Sequence, residues 1–358
     1  MSTTTASGDG GLGNVVAKHY DNLPEKGKEQ RKDSRIYFMR NFNNWIKSVL
    51  IQEYVEKIKE KRKENNPDER ISLNVLDIAC GKGGDLMRWQ RSNVGHVVGV
   101  DIASTSIEQC KDRYRDMRER NRGRLFSGEF FAADCTKARI QESYQDKDIQ
   151  FDLVSCQFAF HYCFESLPQA EKMLQNISEN MRRGAFFVGT TPDSRDIMAR
   201  LHNSSSNSFG NKVFSVSFPD DYDKSSAPAL FGEKYTFHLE EVVDCPEFLV
   251  HFPTFVKLAE KYGLMLVAKE RFQNFFNKKT ENKRSETDQR KVDENKKLLN
   301  RMNALESYPN KSPVGGEDQY DHSQEELQTG DGRLFGTLTK DEWEALTIYI
   351  VFAFKKIN

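Results

Sequence analysis

Apolar positions along the chain follow two alternating rhythms. Met39, Phe42, Ile46, Val49 and Leu50 recur at helical spacing. They predict a helix that continues to the basic stretch KIKEKRK and stops before Asn65, Asn66 and Pro67. Short apolar runs then appear at NVLDIA (74–79), GHVVGVDIA (95–103), SGEFFAADC (127–135), FDLVSCQFAF (151–160) and AFFVGTT (185–191). Amphipathic stretches separate them. Ile107, Cys110, Tyr114 and Met117 share one face, and Thr105 with Glu108 fits a capping box at that helix start. Ala170, Met173, Leu174, Ile177 and Met181 form another face, with Gly184 placed to stop it. Strands alternating with helices of this length imply an α/β fold whose parallel sheet is covered on both faces.

Beyond residue 192 the rhythm breaks. HNSSSNSFGN (202–211) has a loop composition, and KVFSVSF and KYTFHLEE read as strands of an inserted segment. PTFVKLAEKYG (253–263) reads as a helix returning to the main fold, ahead of a strand LMLVAK. Residues 278–300 are dense in charge of both signs and read as a solvated helix or mobile loop. IYIVFAF (348–354) is apolar enough to be a central strand. The first 30 or so residues show no apolar period and read as a flexible tail.

Composition narrows this picture little. With 358 residues, 37% hydrophobic and 30% charged, the chain can build a core under a very polar surface. Lys plus Arg is 53 and Asp plus Glu is 54, and the resulting net charge of -1 is silent about nucleic acid, because an average hides local segregation. The start lacks the charged and apolar regions of a secretory signal, and no apolar run approaches the roughly 18 residues of a membrane span. Cys80, Cys110, Cys135, Cys156, Cys163 and Cys245 form no C-x-x-C pair, so no metal site is expected, and the protein reads as reduced and intracellular.

The chemistry is concentrated in VLDIACGKGGDL, from Val75 to Leu86. A strand delivers the chain to a Gly-rich turn, where Gly81, Gly83 and Gly84 let the backbone pass close to a ligand. Asp101 ends the next strand 20 residues after Gly81, where a carboxylate can accept both ribose hydroxyls of a nucleoside cofactor. Methyltransferases and nicotinamide or flavin enzymes share that layout. The turn A-C-G-K-G-G is not G-x-G-x-x-G, and Asp85 beside it would repel pyrophosphate, which favours S-adenosylmethionine. Asp134, after the third run, can accept the adenine amino group or cap a helix. Gln157 and Tyr162 follow the fourth run and lie near the cofactor by topology, with His161 between them as a contact for a second substrate or a packed neutral histidine. Asn43 and Lys47 share a face of the first helix, and Lys82 within the Gly turn is placed to meet an anion.

With RNFNNWIKS, VLDIACGKGGDL, CQFAFHYCFES, GTTPDS, CPEFLVHFP and GTLTKDEWEALTIYIVFAF in order, the chain resembles the mRNA cap guanine-N7 methyltransferases, most of all the nuclear enzymes of animals. The match runs from about residue 17 to the end. The resemblance implies a Rossmann-like class I S-adenosylmethionine-dependent methyltransferase with a mostly parallel seven-stranded sheet. It implies a tail over 1–33 and a catalytic domain over 34–358, with insertions at about 201–250 and 273–340. It further implies that Lys47, Ala79, Asp101, Asp134, Gln157 and Tyr162 bind S-adenosylmethionine, and that Asn43, Asn44, Lys82, Arg88, Arg113, His161, Glu247 and Tyr349 contact or frame the capped end of an RNA. Ala79 stands where the family usually has glycine, and Arg88 where it usually has lysine. A small activating subunit, the transcription and capping machinery, and a nuclear location are likewise implied. The rival readings are a methyltransferase with a small-molecule or protein acceptor, and a non-enzymatic RNA-binding scaffold on the same fold.

Overall fold

In a computed structural model, Gly13 and residues 33–68, 70–122, 125–309, 315–323 and 335–358 are described. The tail expected over 1–33 falls outside these apart from Gly13 and Asp33. The first helix, α1 (Tyr37–Asn65), buries Met39, Phe42, Ile46, Val49 and Leu50 and extends the stripe through Tyr54, Val55 and Ile58. It ends where Asn66 turns extended at φ −149°, the conformation that a following proline favours. Arg62 in its last turn pairs with the buried Asp152, which also accepts the Asn74 amide at 2.8 Å.

Strands and helices then alternate: β1 (Asn74–Ile78), α2 (Leu86–Arg91), β2 (His96–Asp101), α3 (Ser104–Arg120), β3 (Ser127–Ala132), β4 (Phe151–Gln157), α4 (Leu167–Ser178) and β5 (Met181–Pro192). After α5 (Ser194–Asn203) come four short antiparallel strands: β6 (Ser208–Gly210), β7 (Phe214–Ser217), β8 (Lys234–Leu239) and β9 (Val243–Phe248). The chain returns through α6 (Phe252–Lys261) and β10 (Leu264–Arg271), and α7 (Phe272–Thr280) and α8 (Glu286–Arg301) follow. A small pair, β11 (Glu306–Tyr308) and β12 (Phe335–Thr337), precedes α9 (Lys340–Leu346) and β13 (Tyr349–Lys356).

The main sheet has seven strands in the order β10-β13-β5-β4-β1-β2-β3. Strands β1 to β5 pair in parallel, while β13 runs antiparallel to both of its neighbours. Phe151 to Cys156 are buried without a break, as expected of a strand covered on both faces. One face packs against α1, α2 and α3, the other against α4 and α6. IYIVFAF does form an interior strand.

Local details differ from the sequence reading. Helix α3 starts at Ser104 with Ala103 as its N-cap and no side-chain cap, so Thr105 and Glu108 form no capping box there. Asp101 Oδ1 accepts the Ala103 amide at 2.9 Å instead. Helix α4 ends at Ser178, and Met181 and Gly184 belong to β5, Gly184 at φ +85°. A strand pair to β4, with a register irregularity between Phe151 and Leu153, claims that stretch from the helix. The charged segment 278–300 lies mostly in α8, which buries Val292 and Leu299 and receives the Trp45 indole N–H at Asn295 O (3.0 Å). It is therefore docked on α1. Thr339 and Glu342 make a complete capping box on α9, and Glu342 Oε1 also accepts the Met39 amide at 3.2 Å. That bond ties the start of α1 to the C-terminal part of the chain and sets the register of the α1 residues facing the Gly turn.

Candidate active site

Strand order reverses at β1, which sits between β4 and β2. In open α/β sheets a ligand crevice forms beyond the carboxyl ends of the strands at such a reversal. Here a cavity opens to solvent at that point. Ile78, Ala79, Asp101, Ile102, Asp134, Tyr162 and Phe248 are among its walls, so four of the six expected cofactor residues line one cavity.

The Gly turn is wound by left-handed residues: Ala79 at φ 57°, Gly81 at φ 51° and Gly83 at φ 71°. A Cβ on Gly81 would meet nothing within 4 Å, so that backbone faces open space. A Cβ on Gly83 would strike Leu86 Cδ1 at 2.7 Å and Cys110 Sγ at 2.8 Å, so that glycine is needed for packing. Asp101 Oδ2 accepts the Gly81 amide at 2.8 Å, and Oδ1 the Ala103 amide. Two amides thus orient a carboxylate that has roughly four acceptor positions. Asp134 lies two residues past β3. Its Oδ1 accepts the Thr136 amide and hydroxyl at 2.9 and 2.6 Å, so it closes a turn and lines the cavity at once. Gln157 ends β4 with its amide N–H on Ser155 Oγ (3.1 Å), while its Oε1 is buried without a partner. Two carboxylates lining one cavity beside an open glycine turn fit a nucleoside-bearing cofactor such as S-adenosylmethionine.

Below the turn lies a buried charge cluster. Lys47 Nζ is 2.9 Å from Asp85 Oδ1, and Arg88 binds the same oxygen. Burial pulls the Lys47 ammonium below its usual range, partly offset by Asp85. Burial pushes Asp85 upward, but Arg88 and Lys47 beside it outweigh that and hold it below the usual carboxylate range. Asp77, which accepts the Trp89 indole N–H at 2.9 Å, is pushed up to about 7 by burial and by Asp85. Arg88 requires a correction. Its guanidinium is buried, with Nε on Ser48 Oγ, Nη1 on Gly84 O and Asp85, and Nη2 on Asn44 O and Oδ1. All five of its N–H groups are committed, so it ties Asn44 to the Gly turn and does not face a phosphate. Lys82 stands half-buried in the turn and Arg113 half-buried on α3, while Asn43 Oδ1 is a second orphaned buried acceptor.

The remaining expected residues meet across the antiparallel insert. His161 lies in a 3-10 turn (Phe160–Glu165) and Glu247 on β9, both nearly fully buried. His161 Nε2 is 3.3 Å from Glu247 Oε1 but off the line of a hydrogen bond, so both ring nitrogens lack a partner. Tyr235 donates its hydroxyl to Glu247 Oε2 at 2.7 Å. Burial first, then the Glu247 charge, hold that phenol well above its usual range, so it remains a donor. Tyr162 and Cys245 are 3.2 Å apart (Oη to Sγ), joining the cavity wall to β9. Tyr349 is buried in a ring cluster, 5.6 Å from Phe272 in a stacked arrangement and 5.2 Å edge-on to Phe158. Packed against Phe158, Phe237 and Phe272, it does not present a free stacking face.

Sequence reasoning missed Tyr235, Asp85 as a bridge, and the strained Phe158 (φ 58°) that turns the chain after β4. Tyr235 and Glu247 sit directly opposite in the β8–β9 register, so pairing KYTFHLEE with CPEF would have found the first.

The mRNA (guanine-N(7))-methyltransferase domain model matches residues 3–357. The mRNA cap guanine-N(7) methyltransferase of Drosophila melanogaster is 45% identical over 99% of this chain and 79% of its own length. That of Caenorhabditis elegans is 38% identical over 95% of this chain and 86% of its own. Among solved structures, an S-adenosylmethionine-dependent methyltransferase from Clostridium acetobutylicum ATCC 824 aligns over 96% of this chain and 98% of its own at 15% identity, with a TM-score of 0.43, too loose a likeness to argue from.

Proposed function

The chain belongs to the mRNA cap guanine-N7 methyltransferase family, whose members methylate N7 of the cap guanine with S-adenosylmethionine, and on that premise we propose how its residues divide the work. Asp101 takes the ribose hydroxyls, Asp134 the adenine amino group, and Gln157, Tyr162, Lys47 and the backbone at Ala79 hold the remainder of the cofactor. Glu247 accepts from the guanine edge, as carboxylates do from base donors. Tyr235 fixes the orientation of Glu247, and His161 closes that pocket. Lys82, Arg113, Asn43 and Asn44 meet the triphosphate and the RNA end, with Arg88 holding Asn44 and the turn in place. Tyr349 walls the site from β13. When bound, S-adenosylmethionine supplies a methyl group activated by its sulfonium sulfur.

Guanine N7 carries an in-plane lone pair and no proton, so the chain need supply no general base. Its task is to align nucleophile and methyl and to exclude water, a contribution of roughly 7–11 kcal/mol in well-oriented systems. Burial of His161, Glu247 and Tyr235 suits that task. The single observation that carries this reading is that Ala79, Asp101, Asp134 and Tyr162, all expected to hold the cofactor, line one cavity at the carboxyl ends of the parallel strands. Capped RNA is the substrate. Residues 34–358 as one catalytic domain with inserts at about 201–250 and 273–340, recruitment by an activating subunit or the capping machinery, and a nuclear location are further parts of the proposal. Replacing Asp101 with alanine tests the core of it: the dissociation constant for S-adenosylmethionine rises strongly while cap-analogue affinity holds. An unchanged constant would show that the wrong strand end was chosen.

A further inference from the structure

Gly13, far from the catalytic motifs in sequence, lines the cavity with Asp101, Ile102, Asp134 and Tyr162. A Cβ on Gly13 would stand 3.3 Å from Ile102 Cδ1 and 3.5 Å from Asp134 Oδ2. Both atoms bound the part of the cavity assigned above to the adenosine. A side chain leaving Gly13 would therefore grow into the adenine space. The φ of Gly13 lies outside the left-handed region, so its backbone does not demand a glycine. What limits position 13 is the space beyond a Cβ, between Ile102 and Asp134.

We propose that Gly13 forms the outer wall of the adenine subsite and limits what that subsite accepts. A segment that sequence alone reads as a passive tail thus contributes a binding residue. The inference rests on the reading of this cavity as the cofactor site. It separates two effects of size. A methyl group at position 13 meets only the movable end of Ile102 and an oxygen at contact distance, so Gly13→Ala is nearly tolerated. An aromatic ring has no such room and competes with adenine for the same volume.

The test is calorimetric titration of the full chain with S-adenosylhomocysteine and, separately, with the cap dinucleotide GpppG. Four proteins are compared: wild type, Gly13→Ala, Gly13→Phe and Asp101→Ala. The expected result is a small loss of S-adenosylhomocysteine affinity for Gly13→Ala and a loss of about 10- to 100-fold for Gly13→Phe, the scale of overpacking a filled site. GpppG affinity stays at the wild-type value in both Gly13 variants, which also reports that they are folded. Wild-type S-adenosylhomocysteine affinity in Gly13→Phe, with Asp101→Ala weakened, would overturn the wall and leave the cofactor site standing. Wild-type affinity in Asp101→Ala as well would overturn the cofactor site itself, and the wall with it. Parallel loss of both ligands in Gly13→Phe would also contradict the proposal, because a local wall cannot weaken the cap site.

Discussion

Glu247→Gln separates a residue that reads the base from one that only fills the pocket. Glu247 is 3% exposed, its Oε2 is committed to Tyr235, and its Oε1 lies 3.3 Å from His161 Nε2. The guanine edge offers it two donors, N1–H and the 2-amino group. Glutamine keeps the volume but loses the charge and turns one acceptor into a donor. A hydrogen bond to a charged group contributes about 1.5–3 kcal/mol, and a buried donor left unmatched costs about 1–3 kcal/mol. Allowing for partial rearrangement of the amide, a net loss of about 2–4 kcal/mol follows, or roughly 30- to 1000-fold in kcat/KM for the cap at about 1.4 kcal/mol per decade. The assay is initial-rate methyl transfer to GpppG and to its inosine analogue IpppG, which lacks the 2-amino group, with S-adenosylhomocysteine binding measured in parallel. Wild type discriminates against IpppG by about one to two decades, and the variant loses most of that discrimination, as coupled groups do in a double-mutant cycle. Cofactor affinity is unchanged. A variant within twofold of wild type on GpppG, or equal discrimination in both proteins, would refute the base-reading role.

Two further perturbations probe the turn beneath the site. Asp77 is pushed up to about 7 in the fold, well above its unfolded value, so the folded state holds a proton there that the unfolded chain has released. Stability from this group is full below the unfolded value and is lost as pH rises toward 7. Asp77→Asn therefore gains on wild type in urea melts between pH 5 and 7.5, and a constant difference across that window would contradict the shift. Ala79 sits at φ 57°, where a Cβ costs roughly 1–2 kcal/mol, while glycine returns about 0.4–1 kcal/mol to the unfolded chain. Ala79→Gly should stabilise by about 0.5–1 kcal/mol in denaturant melts and leave cofactor affinity intact, and destabilisation would show that the alanine methyl packs usefully.

How much of this was legible depended on whether the signal was local. Period and length placed α1, β1 to β5 and α6 because each buries its own apolar stripe, and β10 because its run is apolar, although as an edge strand it buries Leu264 and leaves Met265 and Val267 exposed. Asp101 and Ala79 were legible because a Gly turn and a strand end fix their positions within a few residues. Met181 and Gly184 were misassigned because partner strand β4 decides between helix and strand there. The capping box expected at Thr105 failed because the fold satisfies the Ala103 amide with Asp101. The box at Thr339 went unnoticed, although it ties α1 to the C-terminal part of the chain. Arg88 was read as a phosphate contact because, although its pair with Asp85 at i,i+3 is visible in the sequence, its partners Asn44 and Ser48 lie 44 and 40 residues away on α1. Gly13 was invisible for the same reason: its neighbours Ile102 and Asp134 are distant in sequence.

Everything above depends on this chain aligning S-adenosylmethionine with N7 of an unmethylated cap. Transfer of labelled methyl to RNA ending in GpppG, beside uncapped RNA and RNA already methylated at N7, tests it most directly. Label confined to the unmethylated cap, recovered as 7-methylguanosine, is the predicted result. Label on uncapped RNA, on the pre-methylated cap, or on another atom of the guanine would contradict the account.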